Sequence, residues 1–231
     1  MTRILDELRT ALVRYVVLPR PEAADAITLW IAASHAQTAW EHAPRLVLTS
    51  PEKRCGKSRT MDIVAATCRR PIVTVNATPA AVVRSLGEDP PTLLLDEADT
   101  IWGTKRQAEN NEDLRGIINA GHQRGRPMIR WDITTRKLEE LPSFAMACLA
   151  SIGDLPDTIM DRAVVIRMRR RSSGEAVAPF RSRRDGPGLQ FIRDQLADWI
   201  SYVHEDLRYA EPDMPLEDRA ARHLGTPDRC S

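Results

Sequence analysis

An α/β fold built on a five-stranded parallel sheet is predicted by three features of this 231-residue chain. From Arg45 onward, short apolar runs alternate with helical patterns, as a parallel sheet joined by crossover helices requires. The run Leu46-Val47-Leu48 leads straight into Ser50-Pro51-Glu52-Lys53-Arg54-Cys55-Gly56-Lys57-Ser58, and a helical pattern follows. A second apolar run, Leu93-Leu94-Leu95, ends in the adjacent acids Asp96 and Glu97.

Residues 1–43 read as a helical segment ahead of the sheet. Ile4, Leu5, Leu8, Leu12 and Val13 recur at helical spacing. Pro19-Arg20-Pro21 breaks that pattern, and Pro21 suits the first turn of a second helix running through Ala26, Ile27, Trp30, Ile31 and Ala33-Ser34. Trp30 and Trp40 are read as core anchors rather than ligand-stacking rings. Within 44–172, strands are expected at Arg45–Thr49, Ile72–Val75, Thr92–Asp96, Ala145–Ala150 and Ala163–Met168. Helices are expected near Gly56–Cys68, Pro79–Leu86, Glu109–His122 and Leu155–Asp161. Thr78-Pro79 is a cap and first-turn pair that fixes one helix start. Thr100–Asn111 reads as a polar loop, and Met128–Ile133 with Arg136–Glu139 as a hairpin behind an arginine-rich turn. Glu175–Gly188 reads as a linker (173–188), rich in Pro, Gly, Arg and Ser. The segment 189–231 opens with an amphipathic helix whose apolar face holds Leu189, Phe191, Ile192, Leu196, Trp199, Ile200 and Val203.

The two apolar runs carry complementary chemistry. Backbone N–H groups of a tight loop and of the helix start behind it can cradle phosphates, with Lys57 reaching the β- and γ-phosphates of ATP. The Ser58 hydroxyl and Asp96 are placed to hold Mg²⁺, and Glu97 to activate the attacking water. Cys55, Gly56 and Arg59 complete the expected nucleotide contacts. The loop departs from G-x-x-x-x-G-K-[ST] at its first glycine, replaced by Pro51, which cannot take a positive φ and has no N–H, so the loop must turn differently there. Gly56 keeps the position beside the lysine where backbone must approach phosphate most closely.

A chain of this length can bury a full α/β core with a smaller helical piece. The net charge of +1 excludes a globally basic nucleic-acid binder, so any such surface must be local. Cys55, Cys68, Cys148 and Cys230 are scattered, without C-x-x-C or histidines at metal spacing, which points to a reducing cytoplasm and away from zinc or disulfides. The N-terminus is acidic and amphipathic rather than a signal peptide, and no apolar stretch approaches the roughly 20 residues that span a bilayer.

Together these motifs resemble a P-loop NTPase module of the AAA+ type. The stretch from Ala150 through Asp154-Leu155-Pro156-Asp157 to Arg162-Ala163-Val164 is similar to the AAA+ passage from fourth strand, through a short helix, to an arginine before the fifth strand. More narrowly, Ser50–Ser58, Leu93–Asp99, Asn111–Gly125 and Asp154–Arg171 resemble a little-characterised ATPase family of actinobacterial and phage genomes, associated with primase-like and helicase-like replication proteins. The resemblance runs from about Leu5 to Ala221. It implies phosphate, metal and water roles for Lys57, Ser58, Asp96 and Glu97, and a short C-terminal helical lid. It also implies that Arg162 is an arginine finger serving a neighbouring subunit's ATP; the alternative is a surface pair with Asp161 or Asp157. Ser151 or Asp154 stands where such proteins orient water. Arg219 and Arg222 are candidates for a lid arginine.

Lys105, Arg106, Arg124, Arg126 and Arg130 fall in loops that would face the channel of a ring, where cations track phosphate without reading sequence. Trp131 offers a stacking face or belongs to the core. The expected activity is Mg²⁺-dependent ATP hydrolysis by a homo-oligomeric ring, a hexamer being one form, acting on DNA as a helicase or translocase in phage or mobile-element replication, with primase or other replication proteins as partners. The alternative is an ATP-switched assembly or defence factor acting on proteins. A kinase-like transferase is disfavoured, because Asp96-Glu97 suits water activation and no acceptor site is evident.

Overall fold

A computed structural model describes residues 3–74, 78–102, 111–132 and 135–211. Its sheet strands are β1 (Arg45–Ser50), β2 (Pro71–Thr74), β3 (Thr92–Leu95), β6 (Ala147–Ile152) and β7 (Ala163–Arg167), with a separate hairpin of β4 (Met128–Asp132) and β5 (Lys137–Leu141). The helices among the described residues are α1 (Arg3–Tyr15), α2 (Pro21–His35), α3 (Lys57–Thr67), α4 (Pro79–Ser85), α5 (Asp99–Trp102), α6 (Glu112–Ala120), α7 (Asp157–Met160) and α8 (Ser182–Arg208). The five sheet strands lie in the order β2-β3-β6-β1-β7, and every neighbouring pair is parallel. All their carboxyl ends therefore face one edge of the sheet, the place where loops of open α/β folds gather ligands.

Strand alternation sends successive residues to opposite faces, and both faces are apolar. Leu46, Leu48, Leu94, Met146, Cys148, Ala150, Ile166 and Met168 pack under α1, α2, α3 and α8. Val47, Leu93, Leu95, Ala147 and Leu149 pack under α4, α5, α6 and α7. The result is three layers, helix on sheet on helix. The Trp30 indole is buried and donates to Pro44 O at 2.8 Å, tying α2 to the entry of β1. Trp40 is half-buried and donates to Ala33 O at 3.2 Å. Thr78 caps α4 as the sequence predicts, its hydroxyl accepting from the Ala81 N–H at 3.3 Å.

Several boundaries differ from the sequence expectation. The fourth sheet strand is displaced to Ala147–Ile152, and the polar stretch after Asp96 contains α5, whose Ile101 is buried. Residues 103–110 lie outside the described set, as do Val75 and Ile133 of the expected strands. The larger change is in the expected linker. The last helix begins at Ser182 and runs through Gly186-Pro187-Gly188. Pro187 lies inside the helix, where it removes one i→i−4 bond, and α8 is held together nonetheless by Leu189, Leu196 and Ile200, which are buried. Phe191, expected on the apolar face, is 60% exposed, and Val13 of α1 is also turned outward.

Candidate functional site

The carboxyl ends of β1 and β3, separated by β6, bring the two sequence motifs together. β1 ends at Ser50, and the loop 51–56 carries the chain into α3. Two residues of that loop have positive φ, Arg54 at 65° and Gly56 at 85°. The left-handed turn that Pro51 cannot supply is thus taken by Arg54, a strained choice for a side-chain-bearing residue. Gly56 caps α3 in the left-handed region, and the first turn of α3 carries no acid that would offset its N-terminal dipole. The first N–H groups of α3 have no intrahelical partner by construction, so an anion is the natural occupant of this end. Cys55 between the two strained residues is buried, which pins the loop to the core.

Lys57 reaches back to donate to the Ser50 hydroxyl, which in turn donates to Glu52 O at 2.6 Å. The Ser58 hydroxyl stands 3.4 Å from Asp96 Oδ2. Glu97 follows with φ of 54°, its N–H donating to Asp96 Oδ1 at 2.9 Å and its side chain exposed. A positive φ at a side-chain-bearing residue is backbone strain of the kind that collects at functional sites. Ser58 and Asp96 are hard oxygen donors of the kind Mg²⁺ takes, with its remaining positions left to water and phosphate. No group of three or more His, Cys, Asp or Glu able to hold a metal occurs among the described residues.

Asp62, one turn after Ser58 on α3, is a residue the sequence reading missed. Burial raises its pKa, Arg59 at 3.1 Å lowers it, and the nearby charge of Asp96 raises it again. Its i+4 spacing from Ser58 is the signal that could have found it. Arg59 is held by Asp62 and lies 4.8 Å from the Phe180 ring centroid, so its guanidinium braces α3 against the segment before α8. Ser151 is 1% exposed, and its hydroxyl donates to Gly153 O at 2.9 Å, alongside the Thr49 hydroxyl at 2.6 Å. That bond ties Ser151 to the turn after β6 and leaves its hydroxyl oxygen as an acceptor. Asp154 pairs with Arg167.

Arg162 lies at the opposite end of the sheet. Its carbonyl accepts from Arg45 N–H at 2.9 Å, at the start of β1, and its side chain is exposed. Among the described residues it forms no ion pair, with Asp161 and Asp157 included. Arg45 is fully buried there, donating to the carbonyls of Ala43, Ala145 and Ile118. Burial, then the Arg162 charge, lowers its pKa to about 9. His122 is pushed down to about 4, by burial first and then by Arg162, Arg45 and Arg126.

The expected nucleic-acid cations part company. Arg124 is tethered, donating to Gln37 O at 3.0 Å and Trp40 O at 3.2 Å with its guanidinium 4.1 Å from the Phe144 ring centroid. Arg130 pairs across the hairpin with Glu139 at 2.9 Å. Arg126 is exposed and forms no ion pair among the described residues. Lys105, Arg106, Arg219 and Arg222 lie outside the described residues. Trp131 is not core: it is 56% exposed on the hairpin face that also carries Ile129 and Leu138.

Residues 167–224 match the family described as "Protein of unknown function (DUF3631)". A 54-residue stretch, 23% of this chain, is 56% identical to the "Uncharacterized 28.9 kDa protein in xis 5'region" of Saccharopolyspora erythraea and covers 20% of that protein. Among solved structures, a JCV helicase with a bound inhibitor superposes with a TM-score of 0.44 at 12% identity, covering 88% of this chain and 58% of that one. The matches thus span about a fifth of the curated relative and under two thirds of the helicase chain. No helix among the described residues is long and apolar enough to cross a membrane.

Proposed function

We propose that this chain hydrolyses ATP with Mg²⁺, as one subunit of a ring that acts on DNA in the replication of a phage or mobile element. The observation that carries the reading is the meeting of Ser58 Oγ and Asp96 Oδ2, 3.4 Å apart, beside Lys57 and Glu97 at the carboxyl edge of the sheet. Lys57 would exchange the Ser50 hydroxyl for phosphate oxygens. Ser58 and Asp96 would hold Mg²⁺, which supplies neutralisation of charge on the phosphates. The Glu97 carboxylate would take a proton from water as its oxygen attacks the γ-phosphorus, with ADP and phosphate as products. The buried thiols Cys55, Cys68 and Cys148, all free, suit a reducing cytoplasm.

Exposed Arg126 and the outward Trp131 support a nucleic-acid surface made of one cation and one stacking ring. Ile129 and Leu138 beside Trp131 favour a second reading, an ATP-switched factor gripping a protein partner through an apolar face. ATP turnover with and without single-stranded and duplex DNA separates the two. Stimulation by DNA that Arg126→Ala weakens supports the first reading; turnover indifferent to DNA removes it.

A further inference from the structure

Beyond β7 the chain does not leave the site. Thr49 and Arg167 are paired in register, so the residues after Arg167 emerge at the same edge as the phosphate loop. The Met168 N–H donates to Thr49 O at 2.7 Å, and its buried side chain ends 3.5 Å from where a Cβ on Gly56 would stand. In an extended segment, residues two apart face the same way. Arg170 accordingly turns to the loop as Met168 does, and its Nη2 meets Glu52 Oε2 at 2.7 Å. Arg169 faces elsewhere, both of its terminal nitrogens on Glu175, which also accepts from the Ser172 N–H at 2.7 Å. That clasp fixes the turn behind Arg170, and Arg167 is taken by Asp154. Arg170 is thus the strand-exit cation whose partner belongs to the phosphate loop itself.

We infer that Met168–Arg170 is a strap on the phosphate loop, and that Arg170 releases Glu52 to contact the phosphate chain of a nucleotide bound in the same subunit. This rests on the nucleotide reading above and adds to it a cation supplied in cis. The exchange is easy in one direction. Glu52 and Arg170 are about half exposed, at 47% and 57% of their side chains, so their pair contributes little stability. A phosphate chain offers several negative charges and acceptor oxygens to a forked guanidinium where Glu52 offers one carboxylate.

The two partners then have opposite effects, which a merely structural pair would not. The test is equilibrium binding of a fluorescent ATP analogue with Mg²⁺ to the wild-type chain, Glu52→Gln, Arg170→Gln and the double variant, with Lys57→Ala as the site control. Glu52→Gln frees Arg170 and should tighten binding by a few-fold, the worth of an exposed pair. Arg170→Gln should weaken it about tenfold, the loss of one charge-assisted contact. In the Arg170→Gln background, Glu52→Gln should change nothing. Weakening by both single substitutions, or wild-type binding by Arg170→Gln, overturns the strap while binding that Lys57→Ala abolishes keeps the nucleotide reading. Absence of binding by the wild-type chain overturns both.

Discussion

Replacing Arg162 by alanine tests architecture and chemistry at once. Arg162 adjoins Arg45 at the start of β1, and the phosphate loop begins after Ser50 at its end. Five steps along a parallel strand at about 3.3 Å each separate them by about 16 Å. At that distance a unit charge contributes about 0.3 kcal/mol through water and about 1 kcal/mol at an effective dielectric of 20. Salt screening beyond a Debye length of roughly 8–10 Å lowers both. Acting on its own subunit's ATP, Arg162 could therefore change turnover by about fivefold at most. Acting in contact with a neighbour's γ-phosphate, it would be worth about 10³-fold or more. Arg162→Ala should bind the ATP analogue normally and hydrolyse ATP at least 10³-fold more slowly. Mixing it with Lys57→Ala subunits should restore part of the rate, since some junctions then join an intact loop to an intact Arg162. The assay is steady-state phosphate release, with the assembly mass measured beside it. A loss of fivefold or less, or a dead mixture that still co-assembles, refutes the finger.

Other substitutions probe the site and the scaffold. Lys57→Ala should abolish nucleotide binding, whereas Glu97→Gln should keep binding and lose turnover; identical binding isotherms would show that the two roles are misassigned. Gly121→Ala should destabilise the fold by about 1–3 kcal/mol in urea unfolding, because the added Cβ would collide with the backbone carbonyl of Ser143 and meet Ile117 O at 2.9 Å. Gly116→Ala, on the open side of α6 with nothing within 4 Å, should instead stabilise by about 0.5–1 kcal/mol. His122 titrates at about 4 in the fold against 6.5 in the unfolded chain, so only the unfolded chain takes up its proton between those values. Stability should be unaffected by His122 above pH 6.5 and fall toward pH 4, on the order of 1–2 kcal/mol after screening of a half-buried group. His122→Gln should flatten that slope, and an unchanged slope would assign it to other groups.

Local pattern was enough to read the scaffold and not enough to read the charges. Leu46-Val47-Leu48 and Leu93-Leu94-Leu95 could be recognised as strands because burial on both faces needs only an unbroken apolar run. Thr78-Pro79 marked a helix start because capping is decided within four residues. Gly186-Pro187-Gly188 misled for the complementary reason: tertiary packing of Leu189 and Leu196 on α1, α2 and α3 overrides weak local propensity. Arginine is harder still, since its partner is chosen by topology. Arg124 is separated by 84 residues from the carbonyl of Trp40 that it meets, and Arg45 by 100 from that of Ala145. Composition showed Arg124, Arg126 and Arg130 as one basic cluster. The fold divides them into a tether, a cation with no ion pair among the described residues and half of a cross-strand pair.

The same division gives physical content to the end of the sheet remote from the phosphate loop. Arg45 is buried among carbonyls with no carboxylate beside it among the described residues, and with a pKa of about 9 it stays charged at neutral pH. Carbonyl dipoles take up its terminal Nη donors, while its buried Nε has no partner among the described residues and its net charge stays in place. Burial first, and then that field with those of Arg162 and Arg126, holds His122 neutral. Arg162 and Arg126 find no internal counter-ion among the described residues, although carboxylates pair elsewhere with Arg130, Arg167, Arg169 and Arg170. An anion arriving here would relieve repulsion among three arginines as well as gain its own contacts, so this end attracts anions more strongly than any one exposed arginine would. On the proposed nucleotide reading, the phosphate loop of the same chain is about 16 Å away, too far for direct contact. In the proposed ring, a neighbouring subunit's nucleotide would be the anion that gives Arg162 a chemical task.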